Sequence, residues 1–326
     1  MQTVRYSVVV PVYNEEAVIE ETCRRLTGVM EGLGEPYEII FVNDGSRDTT
    51  PQKAGALCRG DARLRLLSFA RNFGHQAAIT AGMEYAAGEA VIVIDADLQD
   101  PPEVIPAMIE RWKAGYRVVY GKRLKRKGEG ILKKVTAKLF YRVLRAMTDV
   151  DIPVDAGDFR LLDRRVCEAL QALPERNRYV RGLVSWVGFS QTAVEYVREE
   201  RFAGETKYPL RRMLALAGDA LTSFSYKPLR LSIYLGGLLT AGCAVYLFIA
   251  LILWLTGRSA PGWTLALPLF ADGVLLLMLG IVGVYLGRLF DEAKRRPLYI
   301  VADAVGFAQT PPAEPCTDAA AASGRK

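Results

Sequence analysis

Two long uncharged runs limit what this chain can fold into more than any other feature. From Leu231 to Thr256 there are 26 residues without a charge, and from Thr264 to Gly287 the only charge is Asp272. Each run exceeds the ~20 residues a helix needs to cross the hydrocarbon of a bilayer, where every backbone polar group must be satisfied inside the segment. The link from Gly257 to Trp263 is too short to fold separately, so the pair predicts a helical hairpin whose ends emerge on one side. Lys227 and Arg230 precede the first run, and Arg288, Lys294, Arg295 and Arg296 follow the second, against a single Arg258 in the link. The positive-inside bias then puts both termini in the cytoplasm.

Upstream, apolar strand-like runs alternate with amphipathic stretches. Strands are predicted at Ser7–Val12, Tyr37–Val42, Leu64–Phe69 and Ala90–Ile94, with helices over Glu15–Leu33, near Thr50–Cys58 and over Gln76–Ala87. A further strand is predicted at Arg117–Tyr120 and a helix at Leu132–Met147. Such alternation implies an α/β fold, a mainly parallel sheet with helices on both faces, and ligands in such folds sit beyond the carboxyl ends of the strands. No basic segment followed by an apolar core and cleavage site precedes the first strand, so no signal peptide is expected. The five cysteines lie far apart, which suggests neither a zinc site nor a disulfide framework and suits a reducing compartment.

The candidate chemistry collects at the predicted strand ends. Asp95-Ala96-Asp97-Leu98-Gln99-Asp100 closes a run of four aliphatics, and alternation in extended chain projects Asp95, Asp97 and Gln99 together. Two carboxylates and an amide oxygen suit Mg²⁺ or Mn²⁺, which bind through one or two carboxylates plus substrate phosphates; solvated strand-end acids are the plainer alternative. Asp100 reads as the N-cap of a helix opened by Pro101 and Pro102. Asn43-Asp44-Gly45-Ser46 is either turn chemistry alone or a turn that lets Asp44 accept from a nucleobase N–H. The single histidine, His75, reads as a structural residue at a helix start, and one histidine with no matching serine pattern argues against a Ser/His/Asp hydrolase. Neither a dinucleotide-binding G-x-G-x-x-G after the first strand nor a P-loop is present.

A net charge of +6 is mild for nucleic-acid binding, and no nucleic-acid partner is expected. Its distribution is uneven, because Lys122–Lys134 holds seven Lys/Arg against Glu129 alone. That run is either a solvated face or a surface for anionic headgroups or a phosphorylated substrate, at about 1 kcal/mol per residue near a membrane. Between Arg201 and Lys227, basic and apolar residues alternate at roughly helical spacing, the pattern of an interfacial helix. Asp155-Ala156-Gly157-Asp158-Phe159-Arg160 reads as a short polar turn whose acid could face the same rim.

Several long motifs occur in order: Val9-Val10-Pro11-Val12-Tyr13-Asn14-Glu15-Glu16, Val42-Asn43-Asp44-Gly45-Ser46-Arg47-Asp48, Arg71-Asn72-Phe73-Gly74-His75-Gln76, Asp95 to Glu103, Gly157-Asp158-Phe159-Arg160 and Gly204-Glu205-Thr206-Lys207-Tyr208. Over about residues 5 to 301 the chain resembles the family 2 glycosyltransferases of GT-A fold. Within them it resembles the polyprenyl-phosphate enzymes typified by dolichol-phosphate mannose synthases and bactoprenol glucosyltransferases, the latter most of all. The resemblance implies that Pro11, Tyr13, Glu15, Asp44 and Asp95 bind the nucleotide and that Asp95, Asp97 and Gln99 hold Mg²⁺ or Mn²⁺. It implies further that Arg123, Lys134, Arg201 and Lys207 bind the acceptor phosphate, and that Asp97, Asp158 and Arg123 are the catalytic set. Because a phosphate acceptor is already largely ionised near neutral pH, Asp158 is better read as orienting a sugar hydroxyl or a basic side chain than as an obligatory base.

The implied reaction is an inverting transfer of a hexose, glucose from UDP-glucose foremost, to undecaprenyl phosphate at the cytoplasmic leaflet. UDP-GlcNAc, UDP-galactose and GDP-mannose remain open as donors, and a non-catalytic membrane-anchored scaffold is the non-enzymatic alternative. A processive polysaccharide synthase is disfavoured, since the only Arg-Trp, Arg111-Trp112, follows Met108-Ile109-Glu110 and lacks the Gln-x-x-Arg-Trp motif. The expected organisation is a cytoplasmic catalytic domain over 1–204, juxtamembrane amphipathic helices over 205–228 and two membrane helices over 229–290. A segment over 291–302 returns to the catalytic domain, and 303–326 is a disordered tail. Glycines in both apolar runs, among them Gly236, Gly237 and Gly280, offer a surface on which copies of the chain could pack as a homo-oligomer.

Overall fold

The computed structural model of the chain describes residues 3–124, 156–199, 227–256 and 266–307. Its described residues fall into two compact units, one of 3–124, 156–199 and 297–307, the other of 227–256 and 266–296.

The first unit is built on one eight-stranded sheet. Its strands are β1 (Tyr6–Val12), β2 (Tyr37–Asn43), β3 (Leu64–Phe69), β4 (Ala90–Val93), β5 (Val118–Arg123), β6 (Ala156–Asp163), β7 (Gln191–Tyr196) and β8 (Val301–Val305), in the order β7-β5-β6-β4-β1-β2-β3-β8. The helices are α1 (Ile19–Gly32), α2 (Thr50–Gly60), α3 (His75–Tyr85), α4 (Ile105–Lys113), α5 (Arg164–Gln171) and α6 (Val180–Trp186). β1 and β2 are buried along their whole length, as their continuous aliphatic runs require of strands covered on both faces. On one face Val8, Val10, Ile39 and Phe41 join Ile19, Leu26 and Met30 of α1 and Ile105, Met108 and Ile109 of α4 in the core. On the other, α3 lies so close to β1 that a Cβ on Gly82 would fall 2.1 Å from Val9 Cγ1.

The four central strands β4-β1-β2-β3 are parallel, as the alternating pattern predicts. The flanks are mixed: β6 runs antiparallel between β4 and β5, β7 is parallel to β5, and β8 is antiparallel to β3. Two sequence expectations are corrected here. Residues 156–160, expected as a polar turn, open β6, where Phe159 and Arg160 are both buried. The polar character of this segment reflects its position at the sheet rim rather than a break in the strand. Residues 303–305, expected to begin a disordered tail, continue β8, with Ala304 opposite Leu67 and Val305 opposite Leu66. Small residues give that strand little hydrophobic signal, but the edge of β3 supplies backbone partners for it, with one register shift between Ser68 and Phe69. Phe307 then packs edge-on against Tyr85 at 5.4 Å, and Tyr299 stacks on Phe69 at 5.0 Å.

The second unit contains α7 (Lys227–Leu255) and α8 (Ala266–Ala293), which pack against one another. Gly236–Leu253 and Phe270–Ala293 are each long and apolar enough to cross a membrane, and Leu238, Leu247, Phe248, Leu276 and Leu286 project outward from them. The predicted helix over 132–147, the interfacial segment from 201 onward, the link between the two apolar helices and the tail beyond 307 lie outside the described residues.

Candidate active site

The strand order reverses beside β1: the chain runs from β1 through β2 and β3 to one side, then returns to place β4 on the other. Open α/β sheets bind ligands in the crevice at such a point, beyond the carboxyl ends of the strands. Pro11 and Tyr13 close β1, Asp44 follows β2, the Arg71–His75 loop follows β3 and Asp95 follows β4. β6 runs the opposite way, so its beginning meets the end of β4; with Val93 opposite Arg160, the register carries Asp158 to the side of Asp95.

Four charged side chains meet there. Asp158 is 5% exposed, and Arg181, from α6, donates to both of its oxygens, Nε to Oδ1 at 2.7 Å and Nη2 to Oδ2 at 2.8 Å. His75 Nε2 lies 3.2 Å from Asp158 Oδ2 and 3.5 Å from Asp95 Oδ1. Burial works against the Asp158 charge, but the hydrogen bonds and charges of Arg181 and His75 outweigh it and hold the carboxyl well below the usual range. Packing likewise opposes a charge on His75, yet Asp158 and Asp95 push its pKa up to about 9. Asp95 goes the other way: burial lifts it to about 6, with Asp158, Asp100 and Asp97 adding to the rise and His75 opposing it.

The opposite side of the crevice is organised by Asp44, which is 4% exposed. Its carboxylate accepts from the backbone N–H of Phe73 at 2.6 Å and of Gly74 at 3.0 Å, while Asn72 Nδ2 donates to its carbonyl at 3.1 Å. Burial raises the Asp44 pKa above that of a free aspartate, with the Phe73 and Gly74 amides opposing. Gly45 has φ of +66°, and a Cβ there would sit 2.5 Å from the Arg71 carbonyl carbon, so only glycine lets the two loops approach. Asn14 at φ 54° donates its N–H to Ser46 Oγ, and Glu15 N–H donates to Thr50 Oγ1. Tyr13, just past the end of β1, stays 38% exposed.

Beyond Asp95 the chain does not continue in the extended form expected but turns, with Leu98 at φ 56°; Asp97 and Gln99 are half-buried, and Ala96, Leu98 and Asp100 are buried. Asp97 Oδ1 accepts from the Gln99 N–H at 3.1 Å, and Gln99 Oε1 accepts from Arg198 Nη2 at 2.6 Å. Asp100 is not the helix cap the sequence suggests. No side chain caps the following turn, and Asp100, 1% exposed, accepts instead from Tyr196 Oη at 2.5 Å and Arg123 Nη2 at 3.0 Å. The diprolyl step carries the backbone away in extended form, with Pro101 at ψ 128°, and leaves the carboxylate facing inward.

Residues 7–171 match the model of glycosyl transferase family 2. The uncharacterized glycosyltransferase YkcC of Bacillus subtilis is 57% identical, over 93% of this chain and 95% of its own. The bactoprenol glucosyl transferase of Shigella phage SfV is 41% identical, over 91% and 98%. The chain belongs to glycosyl transferase family 2. Among solved structures, glucosyl-3-phosphoglycerate synthase of Mycobacterium tuberculosis superposes with a TM-score of 0.48 at 22% identity, covering 67% of this chain and 78% of that one.

The mixed sheet of this glycosyltransferase is of the GT-A type that its family implies, and Pro11, Tyr13, Glu15, Asp44, Asp95, Asp97 and Arg123 gather along one rim of it. Lys134, Arg201 and Lys207, expected at the acceptor phosphate, lie outside the described residues. Sequence reasoning missed four participants. His75 was read as structural and Asp100 as a cap, while Arg181 and Tyr196 carried no motif; only tertiary register brings α6 and β7 to this rim. Among the described residues no three His, Cys, Asp or Glu side chains form a ready metal cage. The donor set still suits a hard divalent cation, because Asp95 is an acid in a cluster of acids and Asp97 stands two residues on, with substrate oxygens and water left to complete the shell.

Proposed function

We propose that this glycosyltransferase moves glucose from UDP-glucose to a polyprenyl phosphate, with inversion, at the cytoplasmic face of a membrane. The observation that carries the reading is the joining of a family 2 sheet to two helices of membrane-spanning length, in a chain that matches a relative named bactoprenol glucosyl transferase over 98% of that relative's length. An acceptor held in a membrane explains why a transferase should carry such a hairpin. The proposed organisation keeps the catalytic domain over 1–204 and both termini in the cytoplasm, with helices over 205–228 at the surface and spans over 229–290.

In this reading Pro11, Tyr13, Glu15 and Asp44 hold the nucleotide, and Asp95 and Asp97, with Gln99, hold Mg²⁺ or Mn²⁺ against the donor diphosphate. Such a cation, when bound, neutralises and polarises the leaving group. An oxygen of the acceptor phosphate attacks the sugar C1, the bond from C1 to the diphosphate oxygen breaks, and UDP departs. The phosphate brings its own negative charge to the attack, so the protein's task is to bring two anions together. Arg123, Lys134, Arg201 and Lys207 serve that end, guanidinium groups being suited to bidentate phosphate contacts. Asp158, filled by Arg181 and His75, acts by fixing those two cations beside Asp95 rather than by taking a proton.

The test is transfer by the purified full chain, with Mg²⁺, undecaprenyl phosphate and each of labelled UDP-glucose, UDP-GlcNAc, UDP-galactose and GDP-mannose. Chloroform-soluble label from UDP-glucose above the others is the expected result. Label from another donor alone would replace the sugar, and none from any would overturn the reading.

A further inference from the structure

Arg123 and Tyr196 are register partners at the ends of the parallel strands β5 and β7. Arg123 Nε donates to Tyr196 Oη at 3.1 Å, and both side chains donate to Asp100, one to each carboxylate oxygen. The triangle is closed and largely dry: Tyr196 is 5% exposed and Asp100 1%. Two glycines make room for it. A Cβ on Gly121 would lie 2.8 Å from the Tyr196 ring, and one on Gly157 would lie 2.7 Å from Arg123 Nη2. The Tyr196 ring is also held edge-on by Phe159 at 5.8 Å. The Arg123 side chain nevertheless stays 28% exposed, and its Nη1 makes no hydrogen bond among the described residues. One edge of the guanidinium is fixed by protein, and its Nη1 side has no partner among the described residues.

We propose that Tyr196 and Asp100 are positioning residues for the acceptor phosphate, holding the Arg123 guanidinium in one orientation and tying it to the loop that carries Asp95 and Asp97. The proposal rests on the reading of Arg123 as a phosphate ligand. Asp100 gives it its particular form, since the carboxylate that anchors the acceptor-side arginine lies three residues beyond an acid of the donor side. Arg198 and Glu199, just past Tyr196, add a second tie to the same loop through the Gln99 side chain and carbonyl. An arginine on a flexible stem gives up side-chain entropy when it binds an anion, and a guanidinium already held by two partners gives up less.

The experiment measures steady-state transfer by the full chain with UDP-glucose and undecaprenyl phosphate for wild type, Tyr196→Phe, Arg123→Gln and the double variant. Tyr196→Phe keeps the ring in its glycine-lined seat and removes only the hydroxyl. It is expected to raise KM for undecaprenyl phosphate by about 3- to 10-fold, the worth of the one hydrogen bond that Arg123 loses, with KM for UDP-glucose changed less than about twofold. Arg123→Gln should raise the lipid KM further, and Tyr196→Phe should add nothing in that background, a coupling that general loosening of the fold would not produce. An unchanged lipid KM in Tyr196→Phe, an equal rise in both KM values, or additive effects in the double variant would overturn the positioning role. If Arg123→Gln itself leaves the lipid KM unchanged, the phosphate-binding reading of Arg123 fails first, and the positioning role with it.

Discussion

His75 and Asp158, 83 residues apart in sequence, lie 3.2 Å apart at the end of β4, with Arg181 gripping the same carboxylate through two further hydrogen bonds. A carboxylate so filled is a poor proton acceptor and a strong organiser of cations. Asp158→Asn preserves the shape but presents one acceptor and one donor where Arg181 needs two acceptors. Transfer should fall by about 30- to 100-fold, the equivalent of about 2 to 3 kcal/mol lost from charged hydrogen bonds. Arg181→Lys should lose most of the same rate, because an ammonium cannot reproduce the two-point contact. Steady-state rates of the two variants, set against wild type, check this; wild-type turnover in either would remove the organising role.

Asp97 combines partial exposure with a place beside Asp95, and its Oδ1 accepts the Gln99 N–H. Asp97→Ala should abolish transfer while the protein remains membrane-bound, with folding stability changed by no more than about 1 kcal/mol. Chelation with EDTA should silence the wild type to the same level, and added Mg²⁺ or Mn²⁺ should restore the wild type but not the variant. Full activity in Asp97→Ala, or an EDTA-resistant wild type, would count against a cation held by these acids.

The parallel centre of the sheet was legible because its strands are runs of aliphatics and its helices have apolar faces, both local properties of the sequence. Asp44, Asp95 and Asp97 could be placed on the rim for a related reason, since each lies within a recognisable motif just past a predicted strand. What was hidden depends on register. The 156–160 segment looks like a turn until β5 is seen to pair with it at Ala156 and Arg160, with β4 joining at Arg160. Asp100 looks like a cap because Pro-Pro follows it, and only the arrival of β7 supplies Tyr196 as its partner. Arg181 lies in a short helix with no distinguishing pattern, so nothing before the fold connects it to Asp158.

Gly45 carries a prediction about the Asp44 side of the crevice. Its φ of +66° and the 2.5 Å approach of a Cβ to the Arg71 backbone leave no room for a side chain without moving the Arg71–Gly74 loop. That loop donates the two amides that hold the Asp44 carboxylate. Gly45→Ala should therefore destabilise the protein by about 1 to 3 kcal/mol through left-handed backbone strain and crowding. It should also weaken UDP-glucose binding more than undecaprenyl phosphate binding. Thermal unfolding and the two KM values test both parts, and an unchanged donor KM would show that the loop tolerates displacement.

Asp163 carries a prediction about pH away from the crevice. At the end of β6 it caps α5 by accepting from the Arg165 N–H at 3.1 Å, and its other oxygen accepts from Trp112 Nε1 at 2.8 Å and Arg117 Nη1 at 2.7 Å. Burial alone would raise its pKa, but these donors outweigh burial and hold it below the ordinary aspartate value. A carboxyl depressed in the folded state adds stability that is fully present above its unfolded pKa, about 3.9, and is lost as pH falls through the lower folded value. Asp163→Asn should cost about 1 to 2 kcal/mol at pH 7, since an amide cannot accept from all three donors. Because only the wild type loses this contribution on acidification, the gap between the two proteins should hold steady from pH 7 to about 5 and narrow below about 4. Denaturant titrations of both full-length chains in one detergent across that range measure the gap, and a difference that widened on acidification would contradict the assignment.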